Sequence, residues 1–261
     1  MTSKLRFFLL AVVCLSGLSS ASAADLLPVT APTPEARADG WNFSFSPYFW
    51  IAGLDGETSV LGLPTVDVSQ DFGDILSGVD FAFMGAGDAR YDRYSIFTDM
   101  AYVRVTTDSG TPRGILAGEV DLKSVTFTAL IGGAYTLYED DRTRFDVLAG
   151  ARYWHLETTL SFSGGLLAGV SRTDKEDWVD AIVGVKGSYA FNDHIFMTGW
   201  GMIGAGGATL DWDVLGALGY KFNDTVSAVL GYRAQGVDYS NDDFSYDMIQ
   251  HGPIIGMTIR F

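Results

Sequence analysis

From Trp41 to Phe261, apolar and polar residues alternate with a period of two, broken only by short polar clusters. In 78–91, Val79, Phe81, Phe83, Gly85, Gly87, Ala89 and Tyr91 share one face, and Asp80, Ala82, Met84, Ala86, Asp88 and Arg90 the other. In 143–157, Phe145, Val147, Ala149, Ala151 and Tyr153 oppose Arg144, Asp146, Leu148, Gly150 and Arg152. Segments 177–191 and 208–222 divide the same way, with Asp180 and Lys186, then Asp211, Asp213 and Lys221, on the polar side. Successive strand residues point to opposite faces, so this period predicts β-strands.

Four tight polar turns punctuate the pattern, at Asp92-Arg93, Glu139-Asp140-Asp141-Arg142, Asn192-Asp193 and Asn223-Asp224, flanked by aromatics such as Tyr91, Tyr94, Tyr138, Phe191 and Phe222. Longer connections at 53–77, 107–117 and 158–176 alternate with them, with shorter ones near Gly206-Gly207 and Ser240-Asn241-Asp242-Asp243. The intervals predict ten strands, at roughly 41–52, 78–91, 94–106, 118–138, 143–157, 177–191, 195–205, 208–222, 225–239 and 244–261. Between them there is no room for crossover helices, so the expected connectivity is an antiparallel meander.

Period two alone does not distinguish a soluble sandwich, with its apolar face buried, from a membrane barrel, with its apolar face toward lipid. The N-terminus bears on the choice. Lys4 and Arg6 precede an apolar run, Phe7–Leu18, and Ala21-Ser22-Ala23 is a small-residue cleavage site, so 1–23 is expected to be a cleaved signal peptide. The apolar run is too short for a spanning helix, which needs about 20 residues. Residues 24–40, rich in proline, are expected to form an exposed leader, with the barrel occupying 41–261. Cys14, the single cysteine, falls inside the signal, which leaves no disulfide, thiolate metal site or cysteine nucleophile in the mature chain. In the expected mature chain, the longest run free of Asp, Glu, Lys and Arg, His194–Leu210, contains Gly199, Gly201, Gly204, Gly206 and Gly207 and does not suit a membrane helix.

Composition excludes other classes. Lys and Arg number 17 against 32 Asp and Glu, a net charge of −15, so no basic stripe exists to meet nucleic acid. A hydrophobic content of 48% argues against disorder.

The C-terminus is the most specific segment. Phe261 ends the chain, and Ile259, Met257 and Ile255 precede it at every second position. In this segment the chain resembles bacterial outer-membrane β-barrel proteins, and the leader AADLLPV is similar to the start of small porin-like members. The resemblance implies an all-β fold: a single antiparallel, up-and-down transmembrane β-barrel of ten strands (8 to 12 being compatible). It implies residence in the outer membrane of a Gram-negative cell envelope. It also implies contact with lipid and lipopolysaccharide, and recognition of Ile255, Met257, Ile259 and Phe261 by the barrel-assembly machinery.

In such a barrel the charged face lines the lumen. The acids Asp80, Asp88, Asp99, Asp146, Asp180, Asp211 and Asp213 then match in number the bases Arg90, Arg144, Arg152, Lys186, Lys221, Arg233 and Arg260. Buried charges require partners, so these residues are expected to form ion pairs across a narrow lumen. A small porin-like diffusion channel is the alternative, and a soluble lipocalin-type barrel a third. The acid excess falls in expected outer loops, at Asp55, Glu57, Asp67, Asp71 and Asp74 and at Asp238, Asp242, Asp243 and Asp247, without the spacing of a calcium loop.

Pro47 and Pro253 fall in the first and last strands, which predicts an irregular seam with a bulge beside Gly252-Pro253. No catalysis is expected. His194 lies in a turn, His155 has Asp177 and Ser161 as conceivable partners across the third long loop, and His251 lies in the last strand. Neither a metal-ligand spacing nor a nucleophile elbow is present, and no cofactor is expected.

Overall fold

The computed structural model describes residues 40–59, 64–110, 119–165, 168–242 and 244–261. The expected signal peptide, Cys14 and nearly all of the leader lie outside the described residues.

Strands and one short helix follow in the order β1 (Trp41–Trp50), β2 (Gly53–Ser59), β3 (Val66–Gln70), α1 (Phe72–Gly78), β4 (Val79–Tyr91), β5 (Tyr94–Gly110), β6 (Glu119–Glu139), β7 (Thr143–Ser163), β8 (Ser171–Ala190), β9 (Ile195–Gly206), β10 (Leu210–Lys221), β11 (Val226–Ser240) and β12 (Ser245–Arg260). Neighbours pair antiparallel in the order β1-β4-β5-β6-β7-β8-β9-β10-β11-β12, and β1 pairs with β12 to close the ring. Ten strands thus form a closed barrel, which leaves no free sheet edge around most of its circumference.

The tight turns close one rim. At Asp140, the carboxylate accepts the backbone N–H groups of Arg142 (2.9 Å) and Thr143 (2.7 Å) and the Tyr138 hydroxyl (2.6 Å). These bonds, that from Tyr138 first, hold its pKa down at about 2. The pKa is depressed, so the tie is complete above the unfolded carboxylate value of about 3.9 and is lost as pH falls toward 2. Amide exchange at Arg142 and Thr143 is expected to lose protection over that window, and protection unchanged down to pH 2 would contradict it.

At the other rim the strands run further than the alternation indicates. β5 continues to Gly110, β7 continues to Ser163, and β8 starts at Ser171, so most of the expected 158–176 loop is strand. Cross-strand hydroxyl pairs Thr159–Thr173 (3.0 Å) and Ser161–Ser171 (3.1 Å) line this extension. On β8, from Ser171 to Glu176, it is polar on both faces, so no apolar period marks it there, whereas Leu160 and Phe162 continue the period on β7.

The 53–77 segment also differs from the expected loop. β2 continues β1 along β12 without a register change, from Trp50↔Ile254 to Gly53↔His251 across the break at Ile51-Ala52. β3 pairs with β2, and α1, capped by the Asp71 carboxylate on Asp74 N (3.2 Å), leads into β4. This segment extends the wall outward.

The expected bulge beside Gly252-Pro253 is absent. β12 stays in register with β11 through Arg233↔Gly252 and Tyr232↔Pro253. The Pro253 carbonyl accepts the Ile51 N–H at 2.8 Å, so its backbone groups face the seam, and the missing donor is lost there without disturbing the β11 ladder. Register shifts occur instead between Val79 and Phe81 and between Thr136 and Tyr138.

Candidate functional site

The barrel interior is the candidate site. Inward-facing residues alternate along every strand and meet at mid-height in one buried layer. Arg233 on β11 is its hub. Its guanidinium donates to Asp99 (2.7 Å), to Asp213 (2.8 and 3.2 Å) and to the Tyr48 hydroxyl (2.8 Å), and Tyr48 in turn donates to Asp99 (2.8 Å). The same cation lies 4.9 Å from the Trp50 ring centre and 5.4 Å from that of Trp200. Arg152 on β7 reaches Asp213 (2.8 Å) and pairs with Asp211.

Indole N–H groups complete the carboxylates. Trp154 donates to Asp211 (2.9 Å), Trp200 to Asp213 (2.9 Å) and Trp178 to Asp180 (3.0 Å). Asp180, Asp211 and Asp213 are 0% exposed and Arg152 and Arg233 1%. Such charges are tolerated only because each finds several partners.

Apolar layers lie on both sides. Toward the long-strand rim, Trp154 and Trp178 stack at 5.6 Å and Trp178 and Tyr239 at 4.1 Å, over Leu156, Val237 and Phe244. Toward the tight-turn rim, Phe97, Leu130, Leu148, Ile182 and Met202 pack together. Below these, Lys186 pairs with Asp88 and lies 3.9 Å from Asp146, and Arg144 holds Asp146 at 3.0 Å.

Other expected lumen residues have different partners. Arg90 pairs with Glu139 (2.5 Å) and Lys221 with Asp224 (2.9 Å), acids of the turn rim rather than of the lumen wall. Arg260 donates to the Ser227 hydroxyl (3.2 Å). Among the described residues Asp180 pairs with no base; Trp178 and the Ala208 backbone N–H (2.8 Å) hold it. Asp80 does not join the lumen set. It is the extra residue of the Val79/Phe81 bulge, and it accepts from Thr106 (2.7 Å), which shares the outward face of β5 with Arg104.

The inward tryptophans are what the residue pattern did not single out. Trp154 follows Arg152 on the same face of β7, and Trp178 precedes Asp180 on that of β8, so alternation places them inward. Their aromatic character alone points equally to the membrane interface.

The histidines sit on the outer wall. His155 bonds Asp177 at 2.7 Å, but Ser161 pairs with Ser171 instead of joining them. His251 bridges the Tyr232 hydroxyl (2.7 Å) and Asp55 (3.1 Å), and His194 bonds the Lys221 carbonyl (3.1 Å). Among the described residues no group of three or more His, Cys, Asp or Glu could hold a metal ion.

The exterior reverses the interior. Leu230 is 62% exposed, Leu218 and Ile131 60%. On β7 the outward face between Tyr153 and Phe145 carries only Ala151, Ala149 and Val147, a span of roughly 20 Å across a bilayer at the usual rise and tilt. Aromatic pairs rim this belt at both ends: Phe81–Tyr102 (5.8 Å) and Phe127–Tyr153 (6.1 Å) at one, Trp41–Tyr91 (5.5 Å) and Tyr94–Tyr135 (5.2 Å) at the other. A water-soluble sandwich or lipocalin-type barrel would bury these side chains and expose the aspartates.

The chain is an outer-membrane-type β-barrel.

No protein-family model matches the sequence, and no curated protein matches it. Among solved structures the barrel is similar to Ail, the attachment invasion locus protein of Yersinia pestis, at 11% identity over 85% of this chain and 99% of that one (TM-score 0.38). It is also similar to the translocator domain of the autotransporter NalP from Neisseria meningitidis, at 13% identity over 86% and 90% (TM-score 0.42). In the barrel, Ile255, Met257 and Phe261 of the C-terminal segment face outward and are exposed, and Ile259 pairs with Phe45 and Val226.

Proposed function

We propose that the protein is a non-catalytic, non-conducting barrel of the bacterial outer membrane with a structural or surface-interaction role. The observation that carries this reading is the buried layer built on Arg152, Arg233, Asp99, Asp211 and Asp213, which crosses the lumen at mid-height between two apolar layers. A ten-stranded barrel is little wider than the eight-stranded kind that side chains fill. The apolar belt is held in lipid and lipopolysaccharide, the segment 1–23 directs export, and Ile255, Met257, Ile259 and Phe261 form the strand offered to the assembly machinery. Acidic groups such as Asp55, Glu57 and Asp67 on β2 and β3 face the outside.

Planar-bilayer recording of the refolded mature chain, 24–261, tests this. Protein whose folding is shown by altered gel mobility before boiling is expected to give no discrete current. Stable, discrete currents would overturn the reading in favour of the porin-like diffusion channel.

A further inference from the structure

The lipid-facing wall is indented just inside the aromatic girdle of the tight-turn rim. There Trp41 of β1, Tyr94 of β5 and Tyr135 of β6 stand exposed on the outside. Between them the outward positions hold Ile96 and Gly133, which pair directly across β5 and β6. These five residues, with Ser95 and Ala134, line a groove of about 450 Å³. That volume falls within the range of about 300–1,000 Å³ for small-molecule sites, but this groove opens along its membrane side. Packing does not account for the glycine. A Cβ added at Gly133 would meet nothing nearer than the Ser95 carbonyl oxygen, at 4.0 Å. The indentation is space that a side chain would otherwise fill.

Polar groups stand in line with it at the membrane surface. The Tyr94–Tyr135 ring pair marks the interface at the tight-turn rim, which in barrels of this kind faces the periplasm. Gly133 is two residues from Tyr135 along β6, and so about 5 Å deeper in the hydrocarbon at the usual rise and tilt. In the other direction Arg93 precedes Tyr94 in the tight turn, at headgroup level. Asp92 takes a left-handed conformation (φ 52°), and the Arg93 carbonyl accepts the Thr136 N–H at 2.8 Å, which pins the turn beside β6. Among the described residues the Arg93 guanidinium has no carboxylate within ion-pair distance, and neither phenol has a hydrogen-bond partner. Two acids of the rim are engaged elsewhere: Glu139 holds Arg90, and Asp140 accepts from Tyr138 and two backbone N–H groups.

We propose that this groove holds one glycerophospholipid of the periplasmic leaflet. An acyl chain lies over Gly133 between Trp41 and Tyr135, ester carbonyls accept from the Tyr94 and Tyr135 hydroxyls, and the phosphate meets Arg93. Asp92, beside it in the turn, meets the ammonium of a zwitterionic headgroup. The occupant follows from place and charge. A groove that opens onto hydrocarbon is filled by hydrocarbon, because an empty one forfeits the contacts of its lining. The cation and the two phenols at its polar end select a chain that carries a phosphate ester. An aromatic girdle that only sets the depth of the barrel requires no glycine beneath it and no cation beside it. The site stands apart from whether the lumen conducts.

Lipid retention tests it. The mature chain, 24–261, is refolded in detergent, mixed with palmitoyl-oleoyl phosphatidylethanolamine and freed of unbound lipid by gel filtration. Bound phosphorus is then counted per barrel, and unboiled gel mobility shows that each variant is folded. One phospholipid per barrel is expected. Gly133→Leu fills the groove and is expected to retain none. Gly216→Leu makes the same change at an outward glycine of β10, where an added Cβ also meets nothing within 4 Å, and is expected to retain the lipid. Arg93→Gln is expected to weaken retention and Arg93→Lys to restore most of it; these two carry the test where Gly133→Leu does not fold. No retained phospholipid in the folded parent, or retention equal to the parent's in Gly133→Leu or Arg93→Gln, overturns the proposal. A lipid-free dimer that Gly133→Leu dissociates would also overturn it, and would assign the groove to a second copy of the chain.

Discussion

Replacing Arg233 by alanine is expected to destabilise the folded barrel by about 3–5 kcal/mol, the range for removing one partner of a buried ion pair. The change leaves Asp99 without a cation and Asp213 with Arg152 alone, in a layer where Asp213 is 0% exposed. It also opens a cavity between Trp50 and Trp200. Urea unfolding of the refolded protein, followed by gel mobility, measures the loss. Arg152→Ala is expected to act in the same direction but less, because Asp211 keeps Trp154 and Asp213 keeps Arg233. Arg144→Ala is the contrast. Its side chain is 22% exposed and Asp146 retains Thr136, so a loss of about 1 kcal/mol or less is expected. Adding Asp99→Asn and Asp213→Asn to Arg233→Met is expected to recover part of the loss, since the stranded charges are then removed. If Arg233→Ala costs no more than Arg144→Ala, the central layer does not carry the stability assigned to it here.

Gly252→Ala is expected to open the seam, at about 1–3 kcal/mol or more. A Cβ at this position would collide with the Ile51 carbonyl oxygen and lie 3.0 Å from the Ala52 Cα. Both are backbone atoms, so no side-chain rotation relieves the clash. β12 is held in register by β11 on one side and by β1 and β2 on the other, and it can yield only by parting from β1 and β2. The resulting species is expected to lose its unboiled gel mobility at a lower temperature than the parent. Gly216→Ala is the control. No atom lies within 4 Å of its added Cβ, and a change within about 0.5 kcal/mol is expected. Equal stability of the two variants would show that the break at Ile51-Ala52 is soft enough to absorb a methyl group.

Much of the architecture was legible before any coordinates. The alternation of Val79 to Tyr91, Phe145 to Tyr153 and Val179 to Tyr189 identifies strands and their two faces, because side-chain direction in a strand depends only on parity. The tight turns at Asp92, Asp140, Asn192 and Asn223 set the meander, and nine of the expected lumen charges enter ion pairs with one another on the inside: Asp88 with Lys186, Arg144 with Asp146, and Arg233 or Arg152 with Asp99, Asp211 and Asp213. Two kinds of feature were not legible. The extension of β8 from Ser171 to Glu176 carries no apolar period, so a strand there looks like a loop. The bulge at Asp80 breaks parity locally and turns that carboxylate outward.

By itself, then, the sequence determined the local quantities: strand, turn, and which side chains share a face. Tertiary structure alone decided the rest. Arg152 has Asp180 as its cross-strand neighbour, yet it reaches over to Asp211 and Asp213 on β10, because barrel closure brings β7 and β10 together across the lumen. The same closure decides where strands exchange partners. The β1–β4 ladder ends at Pro47 and Gly85, and beyond the break β2 pairs with β12 from the far end of the chain, a choice of partner invisible to any local pattern.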